Sequence, residues 1–290
     1  MAPFSGDDRR VAKRRRVGDI SFEPLRVLVI EPHEDMLELC SYCLEADGYR
    51  VSTARDADEG FACALTECPD LIIIELVLPR RGGFELIHQL RDHSLTRDVP
   101  VVVLTGMADQ GTLAAAQTHG AAATLTKPAM PDEIQRTVKE ILANADPAHL
   151  IDRQLRRKLI AVRHLAQRLG AGAELRQHLA RFIDSLQQAV LLLDEAGRLI
   201  AASGAAASLT GYAETLVREH SVFEAIVAGE GVSSDCWGRT RAAEHWSGCA
   251  QFVHRDGHTV STRAVYMSAG IAGLQLAAFA PTSCAPAAPG

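Results

Sequence analysis

The sequence predicts an α/β protein in two parts: a five-stranded doubly wound parallel sheet, then an α+β domain with an antiparallel sheet, the two joined by a helical linker. Three patterns predict it. Between residues 25 and 144 short apolar runs alternate five times with helical periodicity; between 150 and 190 apolar residues step by three and four; beyond 189 strands are separated by tight turns.

Residues 1–24 carry Arg9-Arg10 and Lys13-Arg14-Arg15-Arg16 and lack an apolar face, so a disordered basic arm is expected there. Strands are predicted at 26–30, 51–53, 71–75, 99–104 and 122–125, with helices at 35–47, 57–68, 82–94, 109–118 and 131–144, giving a first domain over 25–144. Runs such as Leu71-Ile72-Ile73-Ile74 are apolar at every position, as suits strands covered on both faces. In the linker, 145–188, Leu155, Leu159, Val162, Ala166 and Leu169 form a stripe that resumes after Gly170-Ala171-Gly172 at Leu175, Leu179, Phe182, Leu186 and Ala189. Such a stripe suits a two-stranded coiled coil, which would make the chain a homodimer, or a helix packed on its own domain. The second domain, 189–281, is predicted to open with a hairpin, 189–194 and 198–202 around Glu195-Ala196-Gly197. Helical segments at 205–209 and 213–218 follow, then strands at 249–254, 258–267 and 274–280 and a tail at 282–290.

With 290 residues, 47% of them hydrophobic and 23% charged, the chain can bury two cores. A net charge of -6 argues against wholesale attraction to nucleic acid or anionic membrane, the basic arm being a local exception. The seven cysteines form no paired framework and no signal peptide precedes them, so a cytoplasmic location is expected. Cys40-x-x-Cys43 falls within a predicted helix and reads as a pair of buried thiols. The longest apolar runs fall far short of the roughly 20 residues of a membrane span.

Three motifs in order say more: Leu78-Pro79-Arg80-Arg81-Gly82-Gly83-Phe84-Glu85-Leu86 after an acid, Pro100-Val101-Val102-Val103-Leu104 ending in Thr105-Gly106, and Thr126-Lys127-Pro128. On these, nearly all of 25–144 resembles the receiver domain of bacterial response regulators, a flavodoxin-like fold. The resemblance implies a two-component phosphorelay in which a central Asp takes a phosphoryl group from a histidine kinase. It implies further that two acids after the first strand help hold Mg²⁺, and that a Thr or Ser and a Lys bind the phosphoryl oxygens. Carried over, Glu75 stands at the phosphoacceptor position, Glu31 and Pro32 at the acidic pair, Thr105 and Lys127 at theirs, and Thr124 where an aromatic switch residue is usual. Phosphoryl transfer depends on alignment and charge neutralisation, and Glu75 is one carbon too long while Pro32 removes a carboxylate. A pseudo-receiver is therefore expected, with Glu75 paired to Lys127, Thr105 contributing, and at most weak Mg²⁺ binding through Glu31, Glu75 and the Val77 carbonyl. His33 beside them reads as a solvated loop residue.

Residues 183–281 resemble a PAS domain on Leu191-Leu192-Leu193-Asp194-Glu195-Ala196-Gly197-Arg198-Leu199-Ile200, Leu209-Thr210-Gly211-Tyr212, Ser221-Val222-Phe223 and Arg255-Asp256-Gly257-His258. No flavin-cysteine or haem context is legible, so no cofactor is expected and any ligand is unknown. His220, His254 and His258 lie in polar turns or strand edges, and Trp237 and Trp246 bracket a stretch with Cys236, Arg239, Arg241 and His245 that reads as packing. His164 and His178 lack the context of kinase phosphoacceptors. The expectation is a non-enzymatic signalling regulator whose receiver acts by phosphorylation-independent binding to a histidine kinase or other signalling protein, coupled to a sensing or dimerising PAS domain. The alternatives are a phosphate-accepting response regulator and a small-molecule sensor working through the PAS pocket.

Overall fold

The computed structural model describes residues 23–169, 173–194, 196–211, 245–254, 256–268 and 274–281. The first domain alternates β1 (Arg26–Ile30), α1 (Glu34–Ala46), β2 (Arg50–Ala54), α2 (Ala57–Glu67), β3 (Leu71–Ile74), α3 (Gly83–Asp92), β4 (Val101–Thr105), α4 (Gln110–Thr118), β5 (Ala123–Thr126) and α5 (Pro131–Ala143). All strand pairs are parallel, in the order β2-β1-β3-β4-β5. β3 and β4 are buried at every position because helices cover both faces, which explains their unbroken apolar runs. One face packs Leu28, Ile30, Ile72, Ile74, Val101 and Val103 under α2 and α3, and the other packs Val27, Val29, Leu71, Ile73, Val102 and Leu104 under α1 and α5. Helix starts follow side-chain chemistry: Asp56 caps α2 by accepting from the Asp58 and Glu59 N–H groups, Asp109 caps α4 through the Thr112 N–H, and Pro131 opens α5.

The linker is α6 (Pro147–Leu169) and α7 (Ala173–Asp184). Beyond it come β6 (Ala189–Asp194), β7 (Leu199–Ala202), α8 (Gly204–Thr210), β8 (His245–Val253), β9 (Thr259–Ser268) and β10 (Leu274–Pro281), whose strands form an antiparallel sheet in the order β7-β6-β10-β9-β8. Predicted strands match within two residues except β8, which begins at His245 rather than at 249. The basic arm up to residue 22, the helix at 213–218, His220, the Cys236–Arg241 stretch and the tail lie outside the described residues.

Of the two readings of the linker stripe, the structure takes the helix packed on its own domain rather than the coiled coil. Leu155, Leu159, Val162 and Ala166 of α6, with Leu179 and Ile183 of α7, are buried in one cluster with Val190, Leu192, Val265, Met267, Leu276 and Ala278. The stripe thus covers one face of the chain's own antiparallel sheet, which would otherwise lie open to water. With that seam occupied, the stripe gives no ground for a homodimer.

A second face of α6 is charged and meets the first domain. Asp70, fully buried at the start of β3, accepts from Arg153 Nε at 3.2 Å and from an Arg157 Nη at 3.1 Å, and also from the Arg26 backbone N–H at 2.8 Å. Arg157 also reaches the Cys68 carbonyl at 2.8 Å. On the other side Asp152 accepts two 2.7 Å hydrogen bonds from Arg263 of β9, and Arg156 contacts Ser247 of β8 at 3.2 Å. α6 therefore joins the domains, apolar toward one and arginine-lined toward the other. Removing the shared anion would strand two buried guanidinium groups, so Asp70→Ala should lower stability by about 3–5 kcal/mol. Glu34→Ala, which breaks only the exposed pair with Arg55, should cost under about 1 kcal/mol. Urea denaturation of the two variants checks both.

Candidate functional site

The order β2-β1-β3 places the reversal of strand order between β1 and β3, and the crevice at their C-terminal ends is where open parallel sheets collect chemistry. Glu31 follows β1, Glu75 follows β3, Thr105 ends β4 and Lys127 follows β5. The backbone fixes them: the Glu75 N–H donates to the Ile30 carbonyl at 3.0 Å and the Lys127 N–H to the Thr105 carbonyl at 2.8 Å. Gly83 at the start of α3 lets that helix sit directly on the site, since a Cβ there would lie 2.6 Å from the Glu75 carbonyl oxygen. The loop after Glu75 is held from outside by Arg80, with a left-handed φ of 64°, paired to the Asp56 carboxylate.

Glu31, Glu75 and Thr105 are buried. Glu75 Oε1 accepts from the Leu76 N–H at 2.6 Å, the Val77 N–H at 3.1 Å and the Thr105 hydroxyl at 2.7 Å. Glu75 Oε2 accepts from Lys127 Nζ at 2.6 Å. The same Nζ donates to Glu31 Oε2 at 2.5 Å, while Glu31 Oε1 accepts from the His33 backbone N–H at 3.1 Å and lies 3.0 Å from His33 Nδ1. The Glu75–Lys127 contact with Thr105 alongside is the arrangement the sequence suggested. The bridge from Lys127 to Glu31 goes beyond that arrangement: Pro32 leaves Glu31 as the one acid of the pair, and the fold buries it against Lys127. Pro32 is half-buried beside this group and offers no oxygen ligand from its side chain, and Thr124 lies in β5 opposite Val103.

Burial would raise the Glu75 carboxyl, but hydrogen bonds from Lys127, Thr105 and the Val77 N–H outweigh it and hold it below its ordinary 4.5. Burial would lower the Lys127 ammonium, yet the bonds to Glu31 and Glu75 raise it above its ordinary 10.5. Both shifts favour the charged pair.

Mg²⁺, which the first-domain resemblance implies, fits these donors poorly. Both Oε2 atoms it would use already bind one ammonium, and Glu75 Oε1 already accepts from three donors. Elsewhere, Cys40 is pushed up to about 12 by burial, with smaller contributions from its neighbours Cys43 and Glu31, and Cys43 Sγ donates to the Cys40 carbonyl at 3.3 Å, so this pair is packed rather than reactive. In the second domain Trp246 packs against Tyr266 at 5.5 Å between ring centroids, as a packing residue should.

The family model for the response regulator receiver domain matches residues 27–139, and that for the PAS domain matches residues 177–243. The Bacillus subtilis alkaline phosphatase synthesis transcriptional regulatory protein PhoP is 36% identical over 42% of this chain and 50% of its own length. The Caulobacter vibrioides response regulator PleD is 30% identical over 59% of this chain and 35% of its own length. A putative response regulator from Chloroflexus aurantiacus, solved by crystallography, is 30% identical with a TM-score of 0.40, covering 42% of this chain and 99% of that one. The chain spans about half the length, or less, of these two curated relatives. No described helix is long and apolar enough to cross a membrane.

The lowered pKa of Glu75 gives a signed expectation. Its contribution to stability is fully present above pH 4.5 and is lost as pH falls from there through the folded value. Glu75→Gln should therefore show a shallower loss of urea stability below about pH 4.5 than the wild type, measured as the denaturation midpoint against pH.

Proposed function

From a chain that carries a response regulator receiver domain followed by a PAS domain, we propose a signalling regulator whose receiver works without phosphorylation. One observation supports this above the others: the Lys127 ammonium is shared by Glu31 and Glu75 at 2.5 and 2.6 Å, within the pocket where a phosphoryl group would have to enter. The site then holds two carboxylates against one ammonium. A phosphoryl dianion would add negative charge beside Glu31, where the Lys127 ammonium is already shared by two carboxylates. At 4 Å one such like-charge pair costs on the order of 4 kcal/mol at an effective dielectric of 20. Each 1.4 kcal/mol is about tenfold in rate, so this repulsion alone would slow transfer by orders of magnitude. The nucleophile is also held back, because both Glu75 oxygens are tied up by donors. In this reading the receiver presents one fixed surface to a histidine kinase or another signalling protein, and Lys127 fixes it.

The PAS domain is proposed to act through α6. β3 carries the interdomain anion Asp70 at one end and Glu75 at the other, about 16 Å apart at 3.3 Å per residue. A ligand or partner on the second domain that shifts α6 would pull on Asp70, and through this buried strand on the site, with no phosphate involved.

Intact-mass analysis after incubation with acetyl phosphate and Mg²⁺ tests the proposal. The wild type should stay unmodified while a Pro32→Asp/Glu75→Asp double variant acquires a labile phosphoryl group, at least about a hundredfold faster. A wild-type adduct that Glu75→Gln abolishes would instead make the chain a phosphate-accepting response regulator.

A further inference from the structure

Between β8 and β9 the chain gathers three metal-ligating side chains, His254, Asp256 and His258, far from Glu75 in sequence and with no part in the proposed signalling role. His254 Nδ1 lies 2.9 Å from Asp256 Oδ1, and His258 Nδ1 contacts the same oxygen. The two imidazoles stack with centroids 4.5 Å apart and planes 24° from parallel, and both Nδ1 atoms meet the one Asp256 oxygen. All three donor atoms fall within 4.8 Å of one another.

The turn is braced by the chain itself. The His254 N–H donates to the His258 carbonyl and the Gly257 N–H to the His254 carbonyl, each at 2.8 Å, and Gly257 supplies the φ of 92° that closes the turn. Alternate residues of the turn thus put their side chains together before any ion arrives, which lowers the ordering cost of binding. The end of α8 lies close to the other nitrogen of His254, Nε2, which only a glycine at 211 leaves room for, since a Cβ there would come within 2.4 Å of it. Nδ1 faces Asp256 and also accepts from the Asp256 N–H at 3.3 Å.

We propose that this turn is a divalent transition-metal site, with His254 Nδ1, Asp256 Oδ1 and His258 Nδ1 as ligands and a water completing a tetrahedron, and with Zn²⁺ as the ion it takes. Two imidazole nitrogens and one carboxylate oxygen are a zinc donor set, whereas Mg²⁺ and Ca²⁺ call for oxygen alone. Bonds of about 2.0–2.1 Å would separate the three donors to tetrahedral spacing and turn the two imidazoles out of their stack until both ring planes point at the ion. Bound metal would fix the His254 ring against Gly211 and so tie the hairpin turn to the end of α8. The site stands independently of the Glu75 reading.

The test uses the full chain without an affinity tag, stripped with a chelator. It is titrated with Zn²⁺ by calorimetry and with Co²⁺ by visible absorption, whose intensity reports tetrahedral coordination. One equivalent should bind, and His258→Ala and Asp256→Asn should each weaken binding by about 10–100-fold. Cys249→Ser and His33→Ala, which change other exposed potential ligands, should leave it unchanged. His258 is itself exposed, so its replacement removes a ligand without opening a core. Absence of stoichiometric uptake by the wild type, or uptake that survives His258→Ala and disappears in Cys249→Ser, would overturn the assignment.

Discussion

The ammonium of Lys127, held between two buried carboxylates, governs the pocket at the C-terminal end of the parallel sheet. Burial works against the charged form of Glu75, and the hydrogen bonds from Lys127, Thr105 and the Val77 N–H outweigh it. Lys127 serves both, and the remaining oxygen demand is met by the Thr105 hydroxyl and by backbone N–H groups of Leu76, Val77 and His33. Each replacement makes sense in light of the others. The extra carbon of Glu75 carries its carboxylate to the lysine, and Pro32 removes an acid that would have needed a cation of its own.

A second charged cluster does comparable work at the opposite end of β3. Asp70 holds Arg153 and Arg157, and those arginines share a helix with the leucines that cover the antiparallel sheet. One helix thus satisfies two demands: an apolar face for a sheet that lacks a cover, and cations for a buried anion. A charged cluster of this kind adds less to net stability than an apolar contact of equal area, and both arginines meet one carboxylate and the backbone carbonyls beside it.

Much of this was legible in the sequence, and the reasons differ by element. The five parallel strands were readable because burial on both faces leaves an unbroken apolar run, as at Leu71–Ile74 and Val101–Leu104. The Glu75–Lys127 contact was readable because each residue had an assigned place in the receiver motif and opposite charge. The stripe of α6 left two readings open because its spacing, Leu155-Leu159-Val162-Ala166, is the same whether it meets a second helix or its own domain. The arginines between those positions look like the solvated face of a coil until Asp70, more than 80 residues earlier, is brought against them. The histidines of the β8–β9 turn read as isolated polar residues because spacing along a strand does not reveal which ring nitrogens converge.

The most direct measurement is a crystal structure of the wild-type chain grown with Mg²⁺ and beryllofluoride, which mimics a phosphorylated carboxylate. This account predicts Lys127 Nζ still within hydrogen-bond distance of both Glu31 and Glu75, with no fluoroberyllate on Glu75. Fluoroberyllate bonded to a Glu75 oxygen, with Mg²⁺ against Glu31 and Lys127 turned onto the fluorines, would contradict it.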